Sequence, residues 1–158
     1  MRRTVATSLA LLAGACGGGD PACGPAHAVV ESVVDGDTVH LESGETVRYL
    51  MVDTPEIGNP GDCFADEART FNSDLVLGRE VDLVYDVECE DRFDRLLAYV
   101  WVSDREVNSL LLERGYACLL HIPPNGDDRV DELQALEDEA RAAGRGMWGA
   151  CEVVACDQ

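Results

Sequence analysis

Five side chains have the types and spacing to do chemistry: the carboxylates of Asp37, Asp53 and Glu56 and the guanidinium groups of Arg48 and Arg95. A carboxylate is a hard oxygen ligand for a divalent cation and, when its pKa permits, a proton acceptor. A guanidinium offers paired donors to two oxygens of one oxyanion, in a fork that lysine cannot reproduce. Taken singly, each residue has a plainer reading. Asp37 belongs to a hairpin turn, Asp53 is a strand-end carboxylate beside Pro55, and Glu56 is a solvated loop acid in an acidic chain. Arg48 reads as an outward strand residue with its head in water, and Arg95 as the ion-pair partner of Asp91 or Asp94.

The elements that must position these groups follow from the pattern of apolar and turn residues. The runs Val29 to Val34, Thr38 to Leu41 and Thr46 to Val52 are rich in β-formers and are separated by Asp35-Gly36 and Ser43-Gly44, which predicts three antiparallel strands. Pro55 ends the third run because it donates no ladder hydrogen bond. Asp62 is placed to cap a helix that turns Phe64, Ala68, Phe71 and Leu75 to one face, with Gly78 as its stop. Glu80 to Val87 and Leu96 to Val102 predict two further strands. Val107 to Arg114 predicts a short helix closed by Gly115, and Asp128 to Ala143 a longer one with Val130, Leu133, Leu136 and Ala140 inward. The expected class is α+β, five strands with three helices. One obstacle is visible: Arg48 and Asp53 are an odd number of residues apart, so strict pleating points them to opposite faces, and a bulge or strand end must intervene.

Composition bounds the setting. Residues 1–15 read as an export signal, with Arg2 and Arg3 before an apolar run too short to span a bilayer, and Leu12 to Cys16 resembles a bacterial lipobox in which Ala13 stands where Leu is usual. The expected layout is a signal over 1–15, lipidation at Cys16, a Gly/Pro/Ala-rich tether over 16–28, one domain over 29–149 and a cysteine-containing tail over 150–158. The expected location is outside the cytoplasm: an outer-membrane or cell-surface lipoprotein, periplasmic, or freely extracellular. Any membrane contact is through the Cys16 anchor alone. Seven cysteines are present, and lipidating Cys16 leaves an even set for disulfides. The absence of any C-x-x-C pair argues against structural zinc. The formal net charge is −19 and every one of the 12 basic residues is arginine, a surface that argues against tight non-specific binding of polyanions.

Four segments, in order, resemble one family: Asp35-Gly36-Asp37-Thr38-Val39; Arg48 to Glu56; Asp91-Arg92-Phe93-Asp94-Arg95-Leu96-Leu97-Ala98-Tyr99; and Ala143-Gly144-Arg145-Gly146-Met147-Trp148. The chain is similar to the staphylococcal-nuclease-like (thermonuclease) proteins from about Val29 to Trp148. That resemblance implies an OB-fold five-stranded β-barrel flanked by three α-helices, and a calcium-dependent nuclease that cleaves DNA and RNA, single strands favoured, to 3′-phosphate ends. It implies that Asp37 and Asp53 ligate Ca2+ with the main-chain carbonyl of Thr54. Arg48 and Arg95 would grip the scissile phosphate, and Glu56 would serve as general base or anchor the attacking water. Arg92, Phe93 and His121 fall at the family's substrate-contacting positions, with Phe93-Asp94 replacing a usual Tyr-Gly and with His121 and Pro123 in place of stacking tyrosines. A monomer is expected. The rival reading is a non-catalytic OB-fold module that binds nucleic acid or protein at the cell surface. The layout of loops suggests pairing Cys63 with Cys89 and Cys118 with Cys151, leaving Cys23 to Cys156.

Overall fold

Alternation of small β-branched residues with polar ones is strongest between residues 27 and 49 and between 80 and 102, and those stretches form the barrel. The computed structural model describes residues 23–58, 60–154 and 156; the expected export signal, Cys16 and the first part of the tether lie outside the described residues. In chain order the elements are β1 (His27–Val33), β2 (Thr38–Leu41), β3 (Thr46–Tyr49), β4 (Val52–Asp53), α1 (Ala65–Val76), β5 (Glu80–Glu90), β6 (Leu96–Val102), β7 (Arg105–Glu106), α2 (Val107–Glu113), β8 (Cys118–Leu119), α3 (Val130–Ala142) and the single turn α4 (Met147–Ala150). Strands β1, β2 and β3 form an antiparallel meander, β5 runs antiparallel to both β1 and β6, and a parallel pairing of β3 with β6 closes the five strands into a barrel. Val30, Val39, Leu41, Val47, Val81 and Val100 point inward and are fully buried. Helices α2 and α3 add Leu111, Leu112 and Leu133 to the same core. Beyond the three expected helices the chain adds the one-turn α4.

Three local expectations change. The strand expected to run from Thr46 to Val52 ends at Tyr49: Met51 has φ 63°, outside the extended region, and the chain resumes as β4, which pairs with β8. This break is the strand end that the odd spacing of Arg48 and Asp53 requires. Asn108, fully buried on α2, fixes it by donating to the carbonyls of Leu50 (2.7 Å) and Ala98 (3.4 Å) while accepting from Val100 N–H (2.9 Å).

Asp62 does not cap α1, whose N-cap is Phe64 in the left-handed region with no side-chain cap; the Asp62 carboxylate instead accepts the amide of Glu56 at 3.0 Å. The disulfides also differ: Cys23 pairs with Cys89, Cys63 with Cys151 and Cys118 with Cys156. The first of these follows from register. His27 faces Asp82 in an antiparallel pair, so stepping back from β1 to Cys23 leads forward along β5 towards Cys89.

Candidate active site

The site is organised around Asp37, which the turn after β1 delivers to a buried position beside Thr54 and Arg48. Asp35 makes the turn by accepting the Asp37 amide at 3.1 Å, and Gly36 has no side chain because a Cβ there would lie within 2.8 Å of the Thr54 side chain. Asp37 is 4% exposed. Its Oδ2 accepts both the Thr54 amide (2.8 Å) and the Thr54 hydroxyl (3.0 Å); its Oδ1 accepts the Thr38 hydroxyl (3.0 Å) and faces Arg48 Nε at 3.0 Å. Burial, reinforced by Asp35, pushes the Asp37 carboxyl up to about 6, against the opposing pull of Arg48 and the Thr54 hydrogen bonds.

Arg48 crosses from Asp37 to Asp53. Its Nη2 donates to Asp53 Oδ1 at 2.7 Å, and its Nη1 donates to the carbonyls of Tyr49 (2.8 Å) and Val52 (2.6 Å), capping the strand break from inside. The side chain is only 14% exposed, so this is a largely desolvated guanidinium between two carboxylates, with one Nη2 hydrogen uncommitted among the described residues. Asp53 is half exposed, and its Oδ2 accepts no hydrogen bond among the described residues.

Glu56 lies on the loop after Pro55 and is exposed. Partial burial raises its carboxyl above the ordinary range, Asp35 and Asp53 add to the rise, and Arg48 opposes it, so Glu56 sits in the field of the same cluster. Its backbone is pinned by a reciprocal pair with Asp62: Glu56 N–H to Asp62 Oδ2, and Asp62 N–H to the Glu56 carbonyl, both 3.0 Å.

Arg95 comes from the start of β6. Asp91 holds it through Nε (2.7 Å) and Nη2 (2.6 Å), leaving Nη1 without a partner among the described residues. Burial works against the ionised form of Asp91, but hydrogen bonds from Arg95 and from the Phe93 and Arg95 amides outweigh it and hold the carboxyl below its usual range. Arg48 and Arg95 line one cleft of about 200 Å3, whose apolar wall is Leu50, Met51, Leu97, Leu120 and Ile122 and whose polar rim includes Glu88, Asp91 and Asn125.

Asp37, Arg48, Asp53 and Thr54 thus share one cluster, Glu56 lies within its electrostatic reach, and Arg95 lines the same cleft as Arg48. Arg92 and Phe93 sit on the adjacent β5–β6 loop, where the Phe93 ring lies 4.7 Å from the Arg92 guanidinium and 5.4 Å from that of Arg95. His121 Nε2 lies 2.8 Å from Asp127 and does not line the cleft, whereas its neighbours Leu120 and Ile122 do. Sequence reasoning missed four supporting residues. Asn72 links the Tyr49 hydroxyl to the Asp35 carbonyl, Asn108 holds the strand break, Asp62 holds Glu56, and Asn125 bridges both backbone groups of Glu88. The signal for the first two was an asparagine on the apolar face of a helix, where only a paired amide is tolerated.

Among the described residues no group of three or more acidic, imidazole or thiol side chains is placed to hold a metal ion.

Comparison with known proteins points to one family. The family model described as Staphylococcal nuclease homologue matches residues 46–150. A protein named Thermonuclease from Staphylococcus intermedius is 34% identical over 126 residues, covering 76% of this chain and 74% of its own length. Endonuclease YncB of Bacillus subtilis (strain 168) is 31% identical over 129 residues, covering 77% of this chain and 61% of that protein. The SPbeta prophage-derived endonuclease YokF of the same organism is 32% identical over 126 residues, covering 75% and 43%. The aligned part of this chain therefore spans less than two thirds of the two Bacillus relatives.

Proposed function

The chain belongs to the staphylococcal nuclease homologue family, and from that premise we propose that it is an exported, calcium-dependent nuclease that hydrolyses phosphodiester bonds of single-stranded DNA and RNA to 3′-phosphate ends. One observation carries the reading: a desolvated arginine joins two aspartates on the same side of the barrel as a second arginine and a carboxylate of raised pKa. A structural ion pair alone would need neither the open Nη1 of Arg95 nor Glu56.

The residues divide the work as follows. Arg95, oriented by Asp91, directs Nη1 at a phosphoryl oxygen, and Arg48 supplies its remaining Nη2 hydrogen to the same group. Charge that builds on the phosphoryl oxygens during attack then meets donors already in place. Glu56, whose proton affinity is raised by burial and by Asp35 and Asp53, orients or deprotonates water for in-line attack, with the 5′ oxygen leaving. The wall of Leu50, Leu97 and Ile122 excludes water beside the reacting phosphate.

The donor set fits calcium. Asp37 brings a carboxylate whose burial and acidic neighbour already disfavour its lone negative charge, Asp53 brings an open Oδ2 at the surface, and the Thr54 carbonyl is the family's third oxygen. When bound, calcium supplies electrophilic pull on a phosphoryl oxygen. Export is supported by three disulfides, which persist in an oxidising compartment. Anchoring through Cys16 extends the same reading.

The test is hydrolysis of single-stranded DNA by purified protein with calcium and then with chelator, scoring 3′-phosphorylated fragments. Calcium-dependent release is expected, and Glu56→Gln should slow it by roughly 10²-fold or more at unchanged stability. Equal rates in chelator would remove the calcium role, and an unimpaired Gln variant the role of Glu56. A melting temperature that rises with calcium while no substrate is cut would favour the non-catalytic module.

A further inference from the structure

Among the described residues of this strongly acidic chain lies a groove whose charged lining is arginine alone. It runs between α1, α2 and the turn entering α4, encloses about 580 Å3, and is lined by Arg105, Arg114 and Arg145 together with Phe71, Tyr116 and Leu75, with no acid among its walls. The groove over β5 and β6 is the opposite case, with Asp86, Asp127 and Asp128 against one arginine. Clustering three of 12 arginines in one depression, in a chain with 31 acids, gives its lining a local excess of positive charge.

Among the described residues none of these guanidinium groups has more than one polar partner. Arg105 is exposed, and its guanidinium makes no ion pair or hydrogen bond among the described residues. Arg114 is 57% exposed, and its ion-pair partner Glu113 is distant at 3.6 Å. Arg145 is anchored by one bond, Nη1 to the Glu113 carbonyl at 3.0 Å, which holds the guanidinium in place without satisfying its other donors. Between them Phe71 and Tyr116 stack at 4.2 Å and 12°, a flat aromatic pair bordering the charged donors. Guanidinium groups beside aromatic faces are the usual composition of a surface that tracks a single strand. On the far side of Tyr116 the acids Asp66, Glu67 and Asp74 of α1 repel a polyanion and so confine it to the arginine side.

We propose that this groove is a second anchoring site for the phosphodiester backbone of a single-stranded substrate, separate from the cleft of Arg48 and Arg95, with which it shares no lining residue. The proposal rests on the nuclease reading for its physiological sense, but not for its test. The rest of the surface repels the strand at long range, so a local basic groove is what retains a long substrate between cuts.

The experiment compares wild type with Arg105→Gln, Arg114→Gln and the double variant. Arg105 is exposed and unpaired, so its replacement leaves folding intact, which thermal melts will verify. Binding of a labelled, roughly 20-nucleotide single strand is measured in chelator, across monovalent salt from 0.05 to about 0.3 M; each guanidinium withdrawn from a phosphate should lower affinity by up to about 8-fold at the lowest salt and flatten the log–log salt slope by about 0.7. Hydrolysis of a dinucleotide, which cannot occupy both sites, should keep its rate in all variants. Unchanged strand binding and salt slope in the double variant, or no measurable strand binding by wild type at low salt, would overturn the groove while leaving the nuclease reading intact. Arginine-dependent strand binding by a protein that cuts neither substrate would keep the groove and sink the nuclease reading. Arginine-dependent binding to phosphatidylglycerol vesicles, with strand binding unaffected, would reassign the groove to a lipid surface and overturn the proposal.

Discussion

Replacing Asp37 by asparagine should make the protein more stable and inactive at once. In the absence of a divalent cation the Asp37 carboxyl is raised from the ordinary 3.8 to about 6, chiefly by burial and then by Asp35. A folded-state pKa above the unfolded one means that the native state favours the proton. Stability contributed by this group is fully present below about 3.8, declines as pH rises, and is lost once pH exceeds about 6. The shift of about 2 units corresponds to roughly 3 kcal/mol forfeited at pH 7. Asparagine carries no charge to desolvate, so the variant recovers that amount. It also turns one NH2 group towards a donor, either the Thr54 amide on one side or Arg48 Nε on the other, which costs about 1–2 kcal/mol. The net expectation at pH 7 is a gain of about 1–2 kcal/mol, or roughly 5 °C in melting temperature for a domain of this size. Urea unfolding in chelator between pH 4 and 7 is the assay. Wild type should lose stability through that window relative to the variant, and the two curves should cross at about pH 5, where the ionisation penalty equals the cost of the misplaced amide, with wild type the more stable below it. Calcium should restore wild type selectively, since the ion takes the place of the proton. A variant less stable than wild type at pH 7, or two parallel pH curves, would refute the assignment of Asp37 as the strained carboxylate of the site.

Two further substitutions probe how the site is held. Asn108→Ala removes the amide that accepts from Val100 and donates to Leu50 and Ala98, leaving buried backbone groups unpaired; a loss of about 3 kcal/mol in urea unfolding is expected, together with a fall in kcat, because the strand break between Arg48 and Asp53 loses its tie. Exchanging Cys63 and Cys151 together for serine opens a crosslink between residues 88 apart, which on chain entropy alone costs about 4–5 kcal/mol; non-reducing peptide mapping checks the pairing and thermal melts check the magnitude.

The barrel was legible in the sequence because its information is local. Period-two alternation from Val29 to Leu41 and from Glu80 to Val102 sets which residues face inward, and Asp35-Gly36 and Ser43-Gly44 mark where the meander turns. The features that were not legible depend on partners distant in sequence. Nothing near Met51 announces its positive φ; the turn is fixed by Asn108, 58 residues from the Leu50 carbonyl that it holds. Asp62 looked like a helix cap because capping residues are identified by position, yet the Glu56 amide claimed its carboxylate first. The Cys23–Cys89 disulfide follows the register of β1 on β5 rather than the order of loops. Among the site residues, the five-residue interval between Arg48 and Asp53 predicted a break without giving its form.

That break explains why the arginine at position 48 must be an arginine. Once β3 stops at Tyr49, the carbonyls of Tyr49 and Val52 turn inward and need donors, while Asp37 and Asp53 need a positive charge between them. A planar guanidinium meets all four acceptors from one side chain; an ammonium group has three donors arranged in a cone and would leave at least one buried acceptor unpaired. The same planar group still has a hydrogen to offer a phosphate. Structural demand and substrate recognition therefore converge on a single residue, so a change at Arg48 disturbs both together, whereas changes at Arg95, held by Asp91 on a separate loop, disturb substrate binding with far less effect on the barrel.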